Sequence, residues 1–185
     1  NIVQDSVKIP DNNSVIIFWE LSNIINGLHY EIEIMQKDQL DDLISKVVNE
    51  MDLVFKNLGT KSLVLFNRFS TSIFTNSDLN KTKLDFICET LNTHLEENKP
   101  SNFKIVDVEY IYKKIGLANS IDLRYYYSSK ILYKLDFLKE YCSYVSPLFL
   151  SANGKSKKAL IFDCDNTLWG GVLGEDGFDG INMSK

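Results

Sequence analysis

Two aspartates stand one residue apart near the end of the chain, directly after a short apolar run. The run covers residues 158–162, and the aspartates are Asp163 and Asp165, followed by Thr167. Side chains alternate along a strand, so both carboxylates project the same way if the strand geometry persists. Two like charges so close together are costly without a cation between them. Mg2+ prefers carboxylate oxygens and keeps positions open for a phosphate, so the pattern predicts a magnesium site with phosphate chemistry.

Other motifs with similar residues do not fit. A calcium loop starting at Asp163 would need a glycine where Leu168 stands and a glutamate where Gly174 stands. A phosphate-binding P-loop ending at residues 154–156 would need its first glycine at Phe149, and a strand follows where a helix is required. The remaining alternative for the two aspartates is an acidic turn after an edge strand.

The residues after the aspartates extend the pattern. The chain continues as Leu-Trp-Gly-Gly-Val-Leu-Gly-Glu-Asp-Gly over residues 168–177. Together with the preceding Asp-x-Asp-Asn-Thr, this block closely resembles the first motif of the haloacid dehalogenase superfamily. Its Trp-Gly-Gly and Gly-Glu-Asp-Gly elements are similar to the FkbH-like branch of that superfamily. The resemblance covers residues 156–185.

The resemblance implies a role for each residue of the block. Asp163 would be the nucleophile that accepts a phosphoryl group, and also a Mg2+ ligand. Asp165 would be the general acid/base, and its backbone carbonyl would face the metal. Thr167 would hold the two aspartates in place. The glycines would form a flexible turn and flap over the site; they are Gly170, Gly171, Gly174 and Gly177.

The resemblance also implies an activity. FkbH-like enzymes transfer a glyceryl unit from a phosphorylated three-carbon donor to an acyl carrier protein, with loss of phosphate, in secondary metabolite or polysaccharide biosynthesis. The later motifs of the superfamily, a Ser or Thr, a Lys and a second acidic pair, would fall beyond Lys185. We therefore expect this chain to be a fragment cut just inside its phosphatase domain, and to be inactive alone.

Composition limits the class of protein. The chain has 185 residues, a net charge of −5, 44% hydrophobic and 24% charged residues. These values are ordinary for a globular protein and give no support for nucleic-acid binding through a basic patch. No apolar run is long enough to span a membrane, and the N-terminus lacks a signal pattern. We expect a cytoplasmic protein. Cys88 and Cys142 fall on the apolar faces of predicted helices and are expected in the core.

The body of the chain alternates strands and helices. Apolar runs predict strands over residues 14–20, 61–67, 103–108 and 158–162. Apolar stripes at helical spacing predict helices over residues 38–58, 77–95 and 123–145. This alternation predicts a three-layer α/β/α domain with a mainly parallel sheet over residues 1–151, Rossmann-like or, as the resemblance implies, SGNH-hydrolase-like. After a polar linker over 151–156, the resemblance implies that residues 152–185 form the first strand and flap of a haloacid dehalogenase domain.

Function in such sheets usually lies at the carboxyl ends of the strands, here residues 20–23, 67–70 and 107–109. FkbH-like proteins often carry an N-terminal region similar to SGNH hydrolases. By that resemblance Asn67 would match the oxyanion-hole Asn and Asp122 the triad Asp. No Gly-Asp-Ser block and no His near Asp122 accompany them, so capping roles in a loop and a helix are favoured. A non-catalytic binding or scaffold domain is the alternative function for this part.

Overall fold

The computed structural model describes residues 13–24, 31–61, 63–74, 81–129, 131–152, 154–155, 172–180 and 182. The chain divides into two compact units, Asn1–Ala152 and Asn153–Lys185. The division lies one residue from the predicted boundary. The predicted strand over residues 158–162 lies outside the described residues.

The first unit contains a three-stranded parallel sheet. Its strands are β1 Ser14–Ile17, β2 Leu63–Asn67 and β3 Phe103–Val106, in the order β1-β2-β3. All five residues of the central strand β2 are buried, so both faces of the sheet are covered. The predicted α/β class with a parallel sheet is therefore confirmed.

Short and long helices surround this sheet in the first unit. They are α1 Leu21–Ile24, α2 Glu31–Ile34, α3 Lys37–Leu58, α4 Lys83–Asn98, α5 Val108–Ile115, α6 Leu117–Ser120, α7 Leu123–Ser129 and α8 Leu135–Ala152. The second unit contributes α9 Leu173–Gly180. No helix of the described ranges has the length and apolar character needed to cross a membrane.

Helices α3 and α4 pack together on one face of the sheet. The apolar stripe of α3 is buried, and Phe55 on it contacts the rings of Phe66 and Phe103. The helix ends at Gly59, where an added Cβ would lie 2.9 Å from the carbonyl oxygen of Phe55. Helix α4 begins after Thr82, whose hydroxyl accepts the backbone N–H of Asp85 while the Asp85 carboxylate accepts the N–H of Thr82.

Helices α5 and α8 pack together and supply the second helical layer. Phe18, which follows β1, makes edge contacts with the rings of Tyr133, Phe137 and Tyr141. Tyr112 of α5 contacts Phe137 at a ring-centroid distance of 5.6 Å. Aromatic rings thus join the carboxyl end of β1 to this layer.

Strand and helix ends differ from the predicted ones. Strand β1 ends at Ile17 instead of residue 20, because the backbone of Trp19 pairs with a side chain and not with a strand. Helix α4 begins at Lys83 instead of residue 77. Helices α5 and α6 were not predicted, since each spans only one or two turns and offers little periodicity.

The single helix predicted over residues 123–145 is wrong. The chain forms α7 and α8 instead, and between them Tyr133 pairs with Ile121 in an antiparallel bridge. Backbone hydrogen bonds from Asp122 N to Leu132 O (3.0 Å) and from Lys134 N to Ser120 O (2.9 Å) hold that bridge. The apolar positions of the predicted helix are not all buried, because Ile131 at the break and Leu135 and Leu138 in the first turn of α8 are exposed.

Two further expectations from the sequence fail near the end of α8. The helix continues through Pro147 to Ala152, so the first two residues of the predicted linker are helical. Cys142 is exposed on this helix, whereas Cys88 is buried as predicted.

We predict that Phe66→Ala lowers the free energy of unfolding by about 3–5 kcal/mol, the usual cost of emptying a core phenylalanine site. Phe66 is fully buried and lies among the rings of Trp19, Phe55 and Phe69. Urea unfolding of the whole chain measures the change. The control is Phe86→Ala, since Phe86 is 52% exposed on α4 and its loss should change stability by about 0.5 kcal/mol or less. Equal losses for both variants would contradict this description of the core.

Candidate functional site

The predicted nucleophile and acid/base lie outside the described residues. This holds for Asp163 and Asp165, and also for Thr167, Gly170 and Gly171. The roles that the sequence assigns to them stay predictions. Among the residues that the structure describes, no group of three or more His, Cys, Asp or Glu side chains could hold a metal ion.

The described part of the predicted flap is helical. Helix α9 contains Gly174 in its first turn, and its first turn is closed by Asp176, whose carboxylate accepts the backbone N–H of Val172 at 2.8 Å. Gly177 interrupts the helix with φ 64° and ψ −176°. A residue with a side chain would be strained at that φ, although there is open space around the position. Gly177 therefore provides a backbone conformation that other residues rarely adopt. It separates two short helical turns and does not lie in an open loop.

Asn67 lies at the carboxyl end of β2 and is completely buried. Its Oδ1 accepts the backbone N–H of Trp19 at 2.5 Å, and its Nδ2 donates to the carbonyl oxygen of Trp19 at 2.8 Å. Nδ2 also lies 3.3 Å from the Glu20 carboxylate. Both ends of the amide are thus engaged with the segment that follows β1. A substrate oxygen would have to replace these hydrogen bonds before Asn67 could serve as an oxyanion-hole donor.

Asp122 precedes α7 and is engaged locally. Its carboxylate accepts the backbone N–H of Arg124 at 3.0 Å and forms an ion pair with the Arg124 guanidinium at 2.7 Å. The hydrogen bonds from Arg124 lower the pKa of Asp122 to about 2. Asp122 and Asn67 share none of the partners described for either, so the structure does not join them into one catalytic group.

Glu20 is an acidic residue that the sequence indicated only as a strand end. Its side chain is 4% exposed, and its described partners are Asn67 and Tyr133. Burial raises the pKa of Glu20 from 4.5 to about 7, and the hydrogen bond from Tyr133 opposes this only in part. Charge is disfavoured there because neither partner is a cation. The Glu20 carboxyl group therefore changes from its neutral to its charged form near pH 7.

Three tyrosines surround this carboxyl group. The hydroxyls of Tyr112 and Tyr133 lie 2.9 Å apart, and Tyr133 also hydrogen-bonds Glu20. Burial raises the pKa of all three tyrosines, with Tyr141 reaching about 12, so they stay protonated when Glu20 ionises. The cluster can hold a proton but is enclosed, with Glu20 and Tyr141 both almost fully buried. The only sequence signal for it is an acidic residue closing an apolar run.

Comparison with known proteins found a solved structure with a similar fold. No protein-family model matches it, and no curated protein matches it. The fold is similar to the crystal structure of the N-terminal part of the protein BF1531 from Bacteroides fragilis, which contains a phosphatase domain and is complexed with Mg. The TM-score is 0.63 and the sequence identity 26%, over 93% of this chain and 45% of that chain. This chain thus spans less than half the length of that structure.

We predict that Glu20 makes the protein less stable as the pH rises from about 4.5 to about 7. Over that range the folded protein keeps a proton that the unfolded chain releases, so unfolding becomes easier with increasing pH and levels off above it. A shift of this size corresponds to about 3 kcal/mol in total. Glu20→Gln keeps the hydrogen-bonding shape without the charge, so it should flatten the profile and be more stable than the wild type at about pH 8.

Urea unfolding across the pH range provides the test. The matched control is Glu97→Gln, which removes an exposed carboxylate from α4 and should leave the profile unchanged. If the free energy of unfolding of Glu20→Gln fell with pH as steeply as that of the wild type, Glu20 would already be ionised in the folded protein over this pH range, and the prediction would be wrong.

Proposed function

We propose that the protein carrying this chain is a Mg2+-dependent phosphatase-type enzyme in which Asp163 is the phosphoryl acceptor. The observation that carries the proposal is the block over residues 163–177, with two aspartates one residue apart and a glycine-rich continuation. It stands in a chain whose fold is similar, over 93% of its length, to a structure containing a phosphatase domain complexed with Mg. The sequence pattern and the fold comparison both support phosphatase chemistry with Mg2+.

The two aspartates would divide the reaction between them. The Asp163 carboxylate attacks phosphorus, forming an Asp163 O–P bond as the bond between phosphorus and the leaving oxygen breaks. The Asp165 carboxyl gives its proton to that leaving oxygen. Asp165, now ionised, takes a proton from the water that hydrolyses the aspartyl phosphate. Thr167 follows on the same alternation and would keep the two carboxyl groups aligned.

The magnesium ion would be held by the Asp163 carboxylate and the backbone carbonyl of Asp165. When bound, Mg2+ neutralises negative charge on the phosphate and on the nucleophile. Oxygen donors of this kind suit Mg2+.

The first unit would serve as an accessory domain in this proposal. The Asn67 amide hydrogen-bonds the backbone of Trp19, and Asp122 forms an ion pair with Arg124. Neither arrangement favours a hydrolase triad, so a binding or scaffold role suits residues 1–152 better than esterase activity. A purely non-catalytic protein is the alternative, and it would leave Asp163 and Asp165 in an acidic turn.

The substrate proposal is narrower. The Trp-Gly-Gly and Gly-Glu-Asp-Gly elements favour the FkbH-like reaction, in which a phosphorylated three-carbon donor loads a glyceryl unit onto an acyl carrier protein in the cytoplasm. Mass spectrometry of an acyl carrier protein incubated with the enzyme and such a donor tests this part alone. Phosphate release without a mass increase on the carrier would remove the transfer step and leave the phosphatase chemistry.

We predict that the two aspartate variants lose different steps of the reaction. Both are measured in the longest natural chain that contains this sequence. Asp163→Asn should form no covalent phosphoenzyme, because the amide is not a nucleophile. Asp165→Asn keeps its backbone carbonyl for the metal but loses the proton donor. It should therefore still bind Mg2+ while turning over about 100- to 10,000-fold more slowly. Single-turnover kinetics with Mg2+ titration distinguish the two.

The matched control is Cys164→Ala, at the position between the two aspartates. Side chains alternate along the strand that the sequence predicts, so the Cys164 side chain would point away from the two carboxylates, and turnover should stay close to wild type. Near-normal turnover in Asp163→Asn, or its complete loss in Cys164→Ala, would require this assignment of the loop to be withdrawn.

A further inference from the structure

A polar cavity of about 430 Å³ opens beyond the carboxyl ends of β2 and β3. Arg68 and Phe69 follow β2 along one side of it, and Asp107 and Glu109 follow β3 along the other. Its volume is in the range of small-molecule sites, which measure roughly 300–1,000 Å³. The cavity belongs entirely to the first unit, away from the proposed phosphatase residues in the sequence.

The path of the chain explains why a cavity lies there. After β2 the chain continues into α4, which packs with α3 on one face of the sheet. After β3 it continues into α5, which packs with α8 in the other helical layer. The helices that follow the two strands thus belong to different helical layers, and a crevice remains between the strand ends. Open parallel sheets commonly bind their ligands at such a point.

Several charged groups around the cavity already have partners. Arg68 pairs with Glu96 at 3.3 Å, and Lys81 pairs with Glu89 at 2.7 Å. The Asp85 carboxylate accepts from the hydroxyl of Thr71 at 2.7 Å and from Thr82. The two ion pairs balance their own charges, whereas Asp85 is held by neutral hydroxyl and N–H groups and remains negatively charged.

Two carboxylates retain an oxygen that has no described partner. Asp107 accepts the backbone N–H of Glu109 through Oδ1 at 3.0 Å, which leaves Oδ2. Glu109 accepts the hydroxyls of Ser70 and Ser72 through Oε1 at 3.0 and 3.2 Å, which leaves Oε2. Both carboxylates are half-buried and held in place by these bonds. They present fixed negative charge to the cavity.

One cation lies beside them. Lys113 also lines the cavity, four residues after Glu109 on α5, and therefore on the same face of that helix. It forms no ion pair with any residue in the described part of the chain. The cavity thus offers two acceptors for a cation and, one helical turn away, a donor for an anion.

We propose that this cavity binds a small zwitterion of the amino-acid type. Its ammonium group is held by Asp107 and Glu109, and its carboxylate by Lys113. A phosphate is a poorer ligand, because Asp85 lies in the first turn of α4 and Asp107 caps α5, and both carboxylates would repel it. The site is independent of the phosphatase proposal, since it uses none of the residues assigned there.

The test uses 15N-labelled protein and three small probes: glycine, ethylamine, which lacks the carboxylate, and acetate, which lacks the ammonium. We expect glycine to shift the backbone amide resonances of residues 68–71 and 107–113. Ethylamine and acetate should each bind about tenfold more weakly, since each loses one charged hydrogen-bonding partner. Absence of these shifts with glycine, or equal binding of ethylamine and glycine, would overturn the proposal.

Conservative variants locate the binding groups without disturbing the fold. Asp107→Asn keeps a residue that caps helices well, and Glu109→Gln keeps an acceptor for the two serine hydroxyls. Each should weaken glycine and ethylamine binding about tenfold. Lys113→Gln should weaken glycine binding alone. The control is Asp41→Asn, an exposed carboxylate on α3, which should change nothing. Undiminished binding in both Asp107→Asn and Glu109→Gln would reject the site.

Discussion

The hydrogen bonds between the Asn67 amide and the backbone of Trp19 determine how the carboxyl edge of the sheet is built. Strand β1 stops at Ile17, and beyond it the side chain of Asn67 performs the pairing that a strand backbone would otherwise provide. Buried backbone groups need partners, and this amide satisfies a donor and an acceptor at once. Because the Asn67 side chain takes the place of a neighbouring strand, the chain can leave the sheet here while the backbone groups of Trp19 stay hydrogen-bonded. It also brings Glu20 into the interior, because Glu20 follows immediately.

The acidic residues at the carboxyl edge of the sheet differ in how far they are buried. Glu20 is enclosed by Asn67 and tyrosines without a cation, so the neutral form is favoured. Asp107 and Glu109 lie beside an open cavity, with part of each carboxylate fixed by backbone N–H or serine hydroxyl groups. The enclosed Glu20 side chain therefore holds a proton that contributes to the fold. The half-buried carboxylates of Asp107 and Glu109 keep their orientation and can accept a ligand. The contrast arises from where each strand ends relative to the helices above it.

Much of this fold follows from local patterns in the sequence. Helix α3 begins within one residue of its predicted start and ends where predicted, because its stripe is long and Gly59 closes it. The break at residues 131–134 could not be read from periodicity. There the Tyr133 ring stacks on Phe137 and its hydroxyl meets Tyr112, and these contacts outweigh the tendency to continue a helix. Likewise, the two aspartates of residues 163–165 are evident in the sequence, whereas the cavity requires residues 39 positions apart, such as Ser70 and Glu109, to meet.

Three successive residues after β1 alternate between two surroundings. The Phe18 ring and the Glu20 carboxyl both contact Tyr133, whereas the Trp19 ring between them contacts Phe66 and Phe69 on the other side. Inserting or deleting one residue here would exchange the two surroundings, since alternation reverses with each step. Relatives of this protein should therefore vary in length elsewhere and keep this segment at constant length. Gaps in an alignment of such relatives would avoid residues 14–20, which makes the segment a dependable landmark for recognising distant members by spacing even where residue identities have changed.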